Sequence, residues 1–507
     1  MKAKVYLVGA GPGDPGLITL KGRECIQTAD VIIYDYLASP ALLKHASKNA
    51  EMIYVGKKGG DHTLSQDGIN ALILEKALAG FNVCRLKGGD PFIFGRGGEE
   101  AEVLAAKGIP FEVVPGVTSA IAAAAYAGIP LTHRKVTATL AFVTGHEDPH
   151  KDESSINWES LAVGIGTLVF FMGVKNLPDI AQRLIANGKS PDTPVALVRW
   201  GTTPGQQTVT GTLDNISERV KKAGMKAPAI IIVGEVVNLR KKLKWFENRP
   251  LLGKRIVVTR AREQASDMVR RLSDLGAECL EYPTIKVVPP EDTTPLKDAV
   301  ERLPEYDWIV FTSVNGVKFF FDLLFDINKD VRALAHLRTA AIGPATSEEL
   351  FKFGLKSDIV PQNYRAESVV EAFSKEPLKG KKILLPRAGE ARPVLPVELN
   401  KMGAEVDEVT AYLTEKVSDN TGMLINQLEE KAVDLISFTS SSTVKNFKAL
   451  LPPDQFDTLM DGITIASIGP ITSNTAKELG FDVHITAESY TIPDLCKAIL
   501  KYFQNMK

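Results

Sequence analysis

The sequence predicts an α/β protein with mostly parallel sheets. Three observations carry this reading. Short apolar, β-branched runs alternate with helical patterns. Glycines and charged residues gather where those runs end, the edge at which open parallel sheets bind ligands. The residues after 254 repeat one pattern twice, and a period that long means two similar α/β lobes rather than a solenoid.

Val5–Val8 reads as a buried strand that empties into Gly9-Ala-Gly11-Pro12-Gly13-Asp14 before a helical pattern resumes at Thr19. Such a turn lets backbone approach a ligand with no Cβ in the way. A dinucleotide site is one candidate, since Gly9-x-Gly11 fits and Asp35 stands where a ribose-binding acid would. Against it, the third glycine of the G-x-G-x-x-G pattern falls on Asp14, and Pro12 deletes a backbone donor. Further strands are expected at 31–34, 52–55, 83–86, 111–114, 141–144, 167–172, 195–198 and 230–233. Asp35 ends the second, Lys57 the third, Arg85 to Glu100 the fourth and Pro115-Gly-Val-Thr-Ser-Ala the fifth. Any one of these is unremarkable as a solvated loop; four at successive strand ends define an edge. Gly88 to Glu99 is the most specific, combining Gly88, Gly89, Gly95, Gly97 and Gly98 with Asp90 and Arg96, a density that plain turns do not need. It suits a ligand bearing hydroxyls, an ammonium and a carboxylate.

After Val237 the cationic run Arg240-Lys-Lys-Leu-Lys reads as a solvated helix end, and Pro250 with Gly253 marks a boundary. A strand restarts at Lys254. Arg255-Ile-Val-Val-Thr-Arg260 recurs as Lys382-Ile-Leu-Leu-Pro-Arg387, Gly276-Ala-Glu as Gly403-Ala-Glu, Ile309-Val-Phe-Thr-Ser313 as Ile436-Ser-Phe-Thr-Ser440, and Ala341-Ile-Gly343-Pro as Ser467-Ile-Gly469-Pro. Thr312, Ser313, Gly343, Thr439, Ser440 and Gly469 are thereby placed at helix N-termini on strand ends. Serine and threonine cap such ends routinely, and several N-termini facing one cleft also make an anion-binding surface.

A formal net charge of −1 on 507 residues argues against a dedicated nucleic-acid binder. The length suffices for about three or four domains. Cys25, Cys84, Cys279 and Cys496 form no C-x-x-C pair, as expected of reduced thiols in a cytoplasmic protein. No metal is expected, because His133-Arg134 and His146-Glu147 lack zinc-ligand spacing. The chain enters a strand almost at once, so no signal peptide is expected. Ser119 to Leu131, the most apolar stretch, is too short for a bilayer and reads as a core helix.

The first half resembles the uroporphyrinogen-III C-methyltransferases of the tetrapyrrole methylase family. The matching blocks are Val-Gly-Ala-Gly-Pro-Gly-Asp-Pro-Gly-Leu-Ile-Thr-Leu-Lys-Gly (8–22), Tyr-Asp-Tyr-Leu (34–37), Val-Gly-Lys-Lys-Gly-Gly-Asp-His (55–62), residues 85–100, Pro-Gly-Val-Thr-Ser-Ala (115–120), Ala-Gly-Ile-Pro-Leu-Thr-His-Arg (127–134), Phe-Met-Gly-Val (171–174), Trp-Gly-Thr-Thr-Pro-Gly-Gln (200–206) and residues 227–237. Ala124 and Phe171 depart from the family's usual proline and tyrosine. This collinear match displaces the dinucleotide reading. The resemblance implies a domain 1–247 with two α/β lobes, about 1–115 and 116–240, holding S-adenosylmethionine between them. Pro12, Gly88, Gly89, Asp90, Ile93, Thr118, Ser119, Met172, Gly201 and Ala229 match its contacts. Asp35 matches the proton acceptor and Lys57 the proton donor, while Lys57, Lys58, Arg96 and Arg134 are candidate anchors for a substrate with many carboxylates. It further implies a homodimer.

The second half, 254–507 after a linker at 248–253, resembles uroporphyrinogen-III synthase through the four repeated blocks and Val409-Thr-Ala-Tyr412-Leu-Thr. That implies two parallel-sheet lobes interleaved in sequence, about 254–288 plus 414–507, and 289–412. It also implies a cofactor-free cyclisation of hydroxymethylbilane, with Tyr412 as the acid and Arg260, Thr312, Ser313, Gly343, Arg387, Thr439, Ser440 and Gly469 toward the substrate. Together the halves imply cyclisation to uroporphyrinogen III and its methylation at C2 and C7 to precorrin-2, in sirohaem or cobalamin biosynthesis, with small tetrapyrroles as substrates, and neither nucleic acid nor membrane as a partner. Two rivals remain at this stage: a methylase of a later corrin intermediate, and a C-terminal half that only binds a ligand and regulates.

Overall fold

The computed structural model describes residues 3–56, 64–146, 155–260, 262–363, 365–417 and 421–506. The chain divides into two compact units, 1–254 with 272–278 and 506–507, and 255–271 with 279–505.

In the first unit β1 (Val5–Gly9), β2 (Val31–Tyr34), β3 (Glu51–Tyr54), β4 (Val83–Lys87) and β5 (Phe111–Val114) form a wholly parallel sheet in the order β3-β2-β4-β1-β5. Its central strands are apolar on both faces because helices cover both. Val5, Leu7 and Ile33 meet Ile73 and Leu104 on one side, and Val8, Ile32 and Leu86 meet Ile26 and Leu42 on the other, as period-two alternation requires.

The second sheet contains β6 (Leu140–Thr144), β7 (Thr167–Phe171), β8 (Pro194–Arg199), β9 (Gln207–Thr212) and β10 (Ala229–Val233), in the order β6-β7-β10-β8-β9. Here the expectation of a mostly parallel sheet is corrected. β6 and β7 run parallel, whereas β10 is antiparallel to both β7 and β8, and β9 is antiparallel to β8. The segment joining β8 to β9 spans residues 200–206, too short for a crossover, so the chain returns beside itself. β9 escapes a search for apolar runs because Gln-Thr-Val-Thr-Gly-Thr is nearly all polar. The alanine-rich stretch forms the helix Ser119–Tyr126, which lays Ala120, Ala123 and Ala124 against this sheet. No helix among the described residues is long and apolar enough to cross a membrane.

The second unit contains β11 (Arg255–Val258), β12 (Glu278–Glu281), β13 (Ile285–Val288), β14 (Trp308–Phe311), β15 (Arg338–Ala341), β16 (Lys382–Ala388), β17 (Glu405–Lys416), β18 (Leu435–Phe438), β19 (Thr464–Ser467) and β20 (Val483–Thr486). They make two sheets, β12-β11-β18-β19-β20 and β13-β17-β16-β14-β15, so the early and late strands of this half share one sheet. β11, β18, β19 and β20 pair in parallel, as do β17, β16, β14 and β15. β13 differs: Ile285 to Val288 pairs antiparallel with Lys416 to Leu413. Residues 285–288 therefore join the sheet of 289–412 rather than that of 254–284, because β17 runs past its pairing with β16 and offers them a free edge.

The Thr-Ser and Gly-Pro blocks each end a strand and open a helix, whereas the Gly-Ala-Glu block ends a helix and opens a strand. Ser313 accepts a hydrogen bond from Gly316 N at 2.9 Å to start Val314–Asp326, and Ser440 from Thr443 N at 3.2 Å to start Ser441–Ala449. Phe311, Phe320 and Phe321 fill the core beside β14, with Phe321 stacked 4.1 Å from Phe353. Phe320→Ala is expected to destabilise this unit by about 3–5 kcal/mol, the usual cost of emptying a phenylalanine site. Chemical denaturation of the full chain, followed by a probe in the second unit, measures it.

Candidate active site

A cavity of about 660 Å³ lies in the first unit, where the tips of β1, β2 and β4 approach the second sheet. Pro12, Gly88, Gly89, Asp90, Ile93, Thr118, Ser119, Met172, Gly201 and Ala229 all line it, together with Asp35 and Arg96. Arg134 is exposed and away from this lining, and Lys57 and Lys58 lie outside the described residues.

Its floor is backbone. A Cβ at Gly9 would stand 2.5 Å from Gly116 Cα and 2.7 Å from Gly89 O, and one at Gly116 would stand 2.7 Å from Gly9 Cα. The strand ends therefore meet only because Gly9 and Gly116 carry no side chain, each packed against the other and against Gly89 O. Gly89 takes φ +70°, and a Cβ there would enter the cavity 3.8 Å from Thr118 Cα and Ser119 N. Asp90 ties the loops together: Oδ1 accepts from Phe92 N at 2.8 Å and Oδ2 from Gly116 N at 3.0 Å. Arg96 is held by its own helix, in a bidentate pair with Glu99 at 2.8 and 2.6 Å.

Backbone strain gathers here as well. Phe94, Arg96, Met172 and Trp200 line the cavity with φ of +53°, +59°, +56° and +48°, and buried Thr202 beside them has φ +73°. Each such residue costs about 1–3 kcal/mol and persists only where its surroundings over-determine it.

Beside the floor, and partly lining the cavity, sits a charge cluster that reading by motif missed. Arg85 and Lys87, 3 % and 4 % exposed, project from one face of β4, and Glu100, 1 % exposed, faces them from the helix Gly97–Ala106. Glu100 Oε1 receives Lys87 Nζ at 2.6 Å, Arg85 Nε at 3.2 Å and Gln66 Nε2 at 3.3 Å, while Oε2 is buried without a hydrogen-bond partner. Arg85 reaches on to Asp35 Oδ2 at 3.1 Å. Burial holds the Lys87 ammonium below the usual lysine range, helped by Arg85 alongside and opposed by Glu100. The signal was present in Val-Cys-Arg-Leu-Lys: two cations at i and i+2 inside an otherwise apolar strand must share a buried face.

In the second unit the predicted residues come to the strand tips of the two sheets. Arg260, Thr439, Ser440 and Gly469 follow β11, β18 and β19; Thr312, Ser313 and Gly343 follow β14 and β15, beside Tyr412 of β17. Tyr412 is 8 % exposed, its hydroxyl 3.0 Å from Ser313 Oγ and its ring stacked on Phe319. Arg387 turns away from this pair. It falls on the face of Ile383 and Leu385, is 4 % exposed, and donates to Arg392 O at 2.6 Å. Gly469 is covered by the Tyr490 ring, which a Cβ would meet at 2.6 Å. Among the described residues no group of three or more His, Cys, Asp or Glu is placed to hold a metal.

A strand-tip cavity floored by glycine and backed by buried charge, joined to a pair of α/β sheets, defines a two-part small-molecule enzyme. The family model of Tetrapyrrole (Corrin/Porphyrin) Methylases matches residues 4–217, and that of Uroporphyrinogen-III synthase HemD matches residues 266–497. The porphyrin biosynthesis protein HemD of Ruminiclostridium josui is 39 % identical over 497 residues, covering 98 % of this chain and 97 % of that protein. The uroporphyrinogen-III C-methyltransferase of Priestia megaterium is 58 % identical over 235 residues, 46 % of this chain and 98 % of that one. The solved uroporphyrin-III C-methyl transferase of Thermus thermophilus, complexed with S-adenyl homocysteine, is 40 % identical, covers 47 % of this chain and all of its own, and superposes with a TM-score of 0.41. The chain belongs to the tetrapyrrole methylase family in its first half and to the uroporphyrinogen-III synthase family in its second.

Glu100→Ala would leave Arg85 and Lys87 buried against each other. Removing one partner of a buried ion pair costs about 3–5 kcal/mol, so the first unit should lose that much stability, measured by denaturant unfolding.

Proposed function

We propose that residues 254–507 cyclise hydroxymethylbilane to uroporphyrinogen III and that residues 1–247 methylate it at C2 and C7 to precorrin-2. The chain is a bifunctional enzyme of tetrapyrrole biosynthesis, and its methyl donor is S-adenosylmethionine. The observation that carries the methylase reading is the cavity itself: the ten residues matched to donor contacts all line one space of about 660 Å³, within the usual range for a small-molecule site. Gly89 fits that group, since its missing Cβ leaves room against Thr118 and Ser119.

When bound, S-adenosylmethionine supplies a sulfonium-activated methyl group. The chain's own part begins with positioning, because holding two reactants in line removes much of a bimolecular barrier. Methylation leaves the attacked pyrrole carbon tetrahedral, and a proton must then leave the macrocycle. Asp35 is the proposed acceptor. It stands at the tip of β2 on the cavity wall, with Oδ1 accepting from Leu37 N at 3.1 Å and Oδ2 from Arg85, so both oxygens are oriented. Lys57 is the proposed donor. Arg96 is a proposed anchor for substrate carboxylates at the cavity, and exposed Arg134 a proposed anchor outside it.

In the synthase half, the proposed acid is Tyr412, which protonates the departing hydroxyl of the bilane as the ring closes. Ser313 supports it: Gly316 N already donates to its Oγ, which leaves the Ser313 hydrogen free for the Tyr412 oxygen or its lone pair free for the Tyr412 proton. A cytoplasmic location and pairing of two copies through the methylase half belong to the same proposal, on the strength of the family resemblance.

Incubating the full chain with hydroxymethylbilane and S-adenosylmethionine, and identifying the tetrapyrrole, tests the whole. Precorrin-2 is expected; methylation of a later corrin but not of uroporphyrinogen III would overturn it. Asp35→Asn should cost about 10²–10⁴-fold in methyl transfer, the usual contribution of a general base, and leave uroporphyrinogen III formation unchanged. Tyr412→Phe should do the reverse, with a loss of the same order in cyclisation and normal methylation of supplied uroporphyrinogen III.

A further inference from the structure

The cationic run 240–244 reads as a solvated helix end on sequence, and within the segment 240–249 Lys241, Lys242 and Lys244 are exposed. Arg240, Phe246 and Glu247 are not: Phe246 is buried, and the Arg240–Glu247 pair is largely covered. We propose that this segment is a strap that sets the shape of the methyl-donor cavity, with Glu247 and Tyr126 as positioning residues. The proposal rests on that cavity being the S-adenosylmethionine site.

Two hydrogen-bonded routes lead from the strap to the cavity wall. In the first, Glu247 Oε1 accepts from Gln206 Nε2 at 2.9 Å and from Thr208 Oγ1 at 2.5 Å, while Oε2 pairs with Arg240, whose guanidinium also donates to Ala127 O. Gln206, 6 % exposed, is thereby fixed, and its Oε1 accepts from Thr202 N at 2.9 Å. Thr202 Oγ1 in turn accepts from Asp14 N at 2.9 Å. In the second, the Tyr126 ring lies against Trp245 and Phe246, with centroids 5.0 and 4.8 Å apart, and its hydroxyl donates to Asp14 Oδ2 at 2.7 Å. Trp245 Nε1 donates to Ala125 O at 3.0 Å, and the Arg249 guanidinium covers both strap rings. The strap's backbone is seated directly on Gly128, which has φ +73°; a Cβ there would stand 2.5 Å from Leu243 O and 2.6 Å from Lys244 Cα.

Both routes converge on Asp14, the first by way of Thr202, and the neighbours of those two residues, Gly13, Gly201 and Thr203, line the cavity. Thr202 is where the strap acts. A β-branched residue in the left-handed region relaxes unless it is held there, and the bond from its N–H to Gln206 holds it. If Gln206 is released, Thr202 turns, and Gly201 and Thr203 move with it. Gly13 lies close against both residues: a Cβ built on it would stand 2.7 Å from Thr203 Cγ2 and 3.2 Å from Thr202 Oγ1.

The test uses the full chain and S-adenosylhomocysteine as the probe in calorimetric titration. Glu247→Ala should raise its Kd, and the KM for S-adenosylmethionine, by about 10-fold, the loss expected from a small buried hydrogen-bond network. The kcat for methyl transfer should stay within about twofold, because the lost interaction serves ground and transition state alike. Uroporphyrinogen III formation should be unchanged, which reports on the second unit, and the retained kcat for methyl transfer reports that the first unit is folded. Glu247→Gln keeps an acceptor for Gln206 and Thr208 and should recover affinity to within about threefold of the natural chain. Tyr126→Phe keeps the stacked ring, loses only the bond to Asp14, and should weaken binding by about 3- to 10-fold even if Glu247→Ala fails to fold. Unchanged affinity in both Glu247→Ala and Tyr126→Phe, or a fall in kcat with Kd unmoved, would overturn the strap. A natural chain that does not bind S-adenosylhomocysteine at all would instead overturn the assignment of the cavity.

Discussion

Three main-chain segments meet at Gly9, Gly89 and Gly116, and the methylase half depends on that meeting. A parallel sheet delivers its strand ends to one edge, but side chains normally keep those ends apart. Here Gly9 lies against Gly116 Cα and N and Gly89 O at distances that exclude any Cβ on it. The result is a floor of peptide groups rather than side chains, able to face a polar ligand without spending charged residues on it. Asp90 then fastens the floor by accepting from Gly116 N, which fixes β4's loop to β5's.

The charges stand beside the floor: Asp35, Arg85 and Lys87 line the same cavity, and Glu100 backs them. Arg85, Lys87, Glu100 and Asp35 balance in formal charge, and three of the four are almost wholly buried. Such a cluster is poor evidence of stability, since burying ions is costly. Its use is orientation: Glu100 directs Arg85, and Arg85 directs a carboxylate that does reach the cavity. The strained residues at 94, 96, 172, 200 and 202 make the same point from the backbone side. Both kinds of cost are concentrated around one space and nowhere else to a comparable degree among the described residues.

The synthase half is organised differently. Its predicted residues are strand-tip hydroxyls and glycines, and much of their hydrogen bonding is already committed to starting helices, as with Ser313 and Ser440. Tyr412 and Ser313 form a pair, whereas Arg387 is turned onto the opposite face of β16. One position in a strand reverses a side chain's direction, and a repeat aligned by sequence does not report which face each arginine takes.

The amino-acid sequence by itself determined the α/β class, the glycine-rich strand ends and the duplication after 254, and its motifs marked residues that line the strand-tip cavity. All of these are local: an apolar run, a turn or a motif carries its meaning within a few residues. Only tertiary structure decided the antiparallel pairing of β9 and β10, the place of Ile285–Val288 beside β17, the partnership of Arg85 with Asp35 and Glu100, and the contact of Glu247 with Gln206. Each of these joins segments whose proximity is set by how whole sheets and helices stack, and a side chain's partner across such a distance is chosen by burial and geometry rather than by its neighbours along the chain.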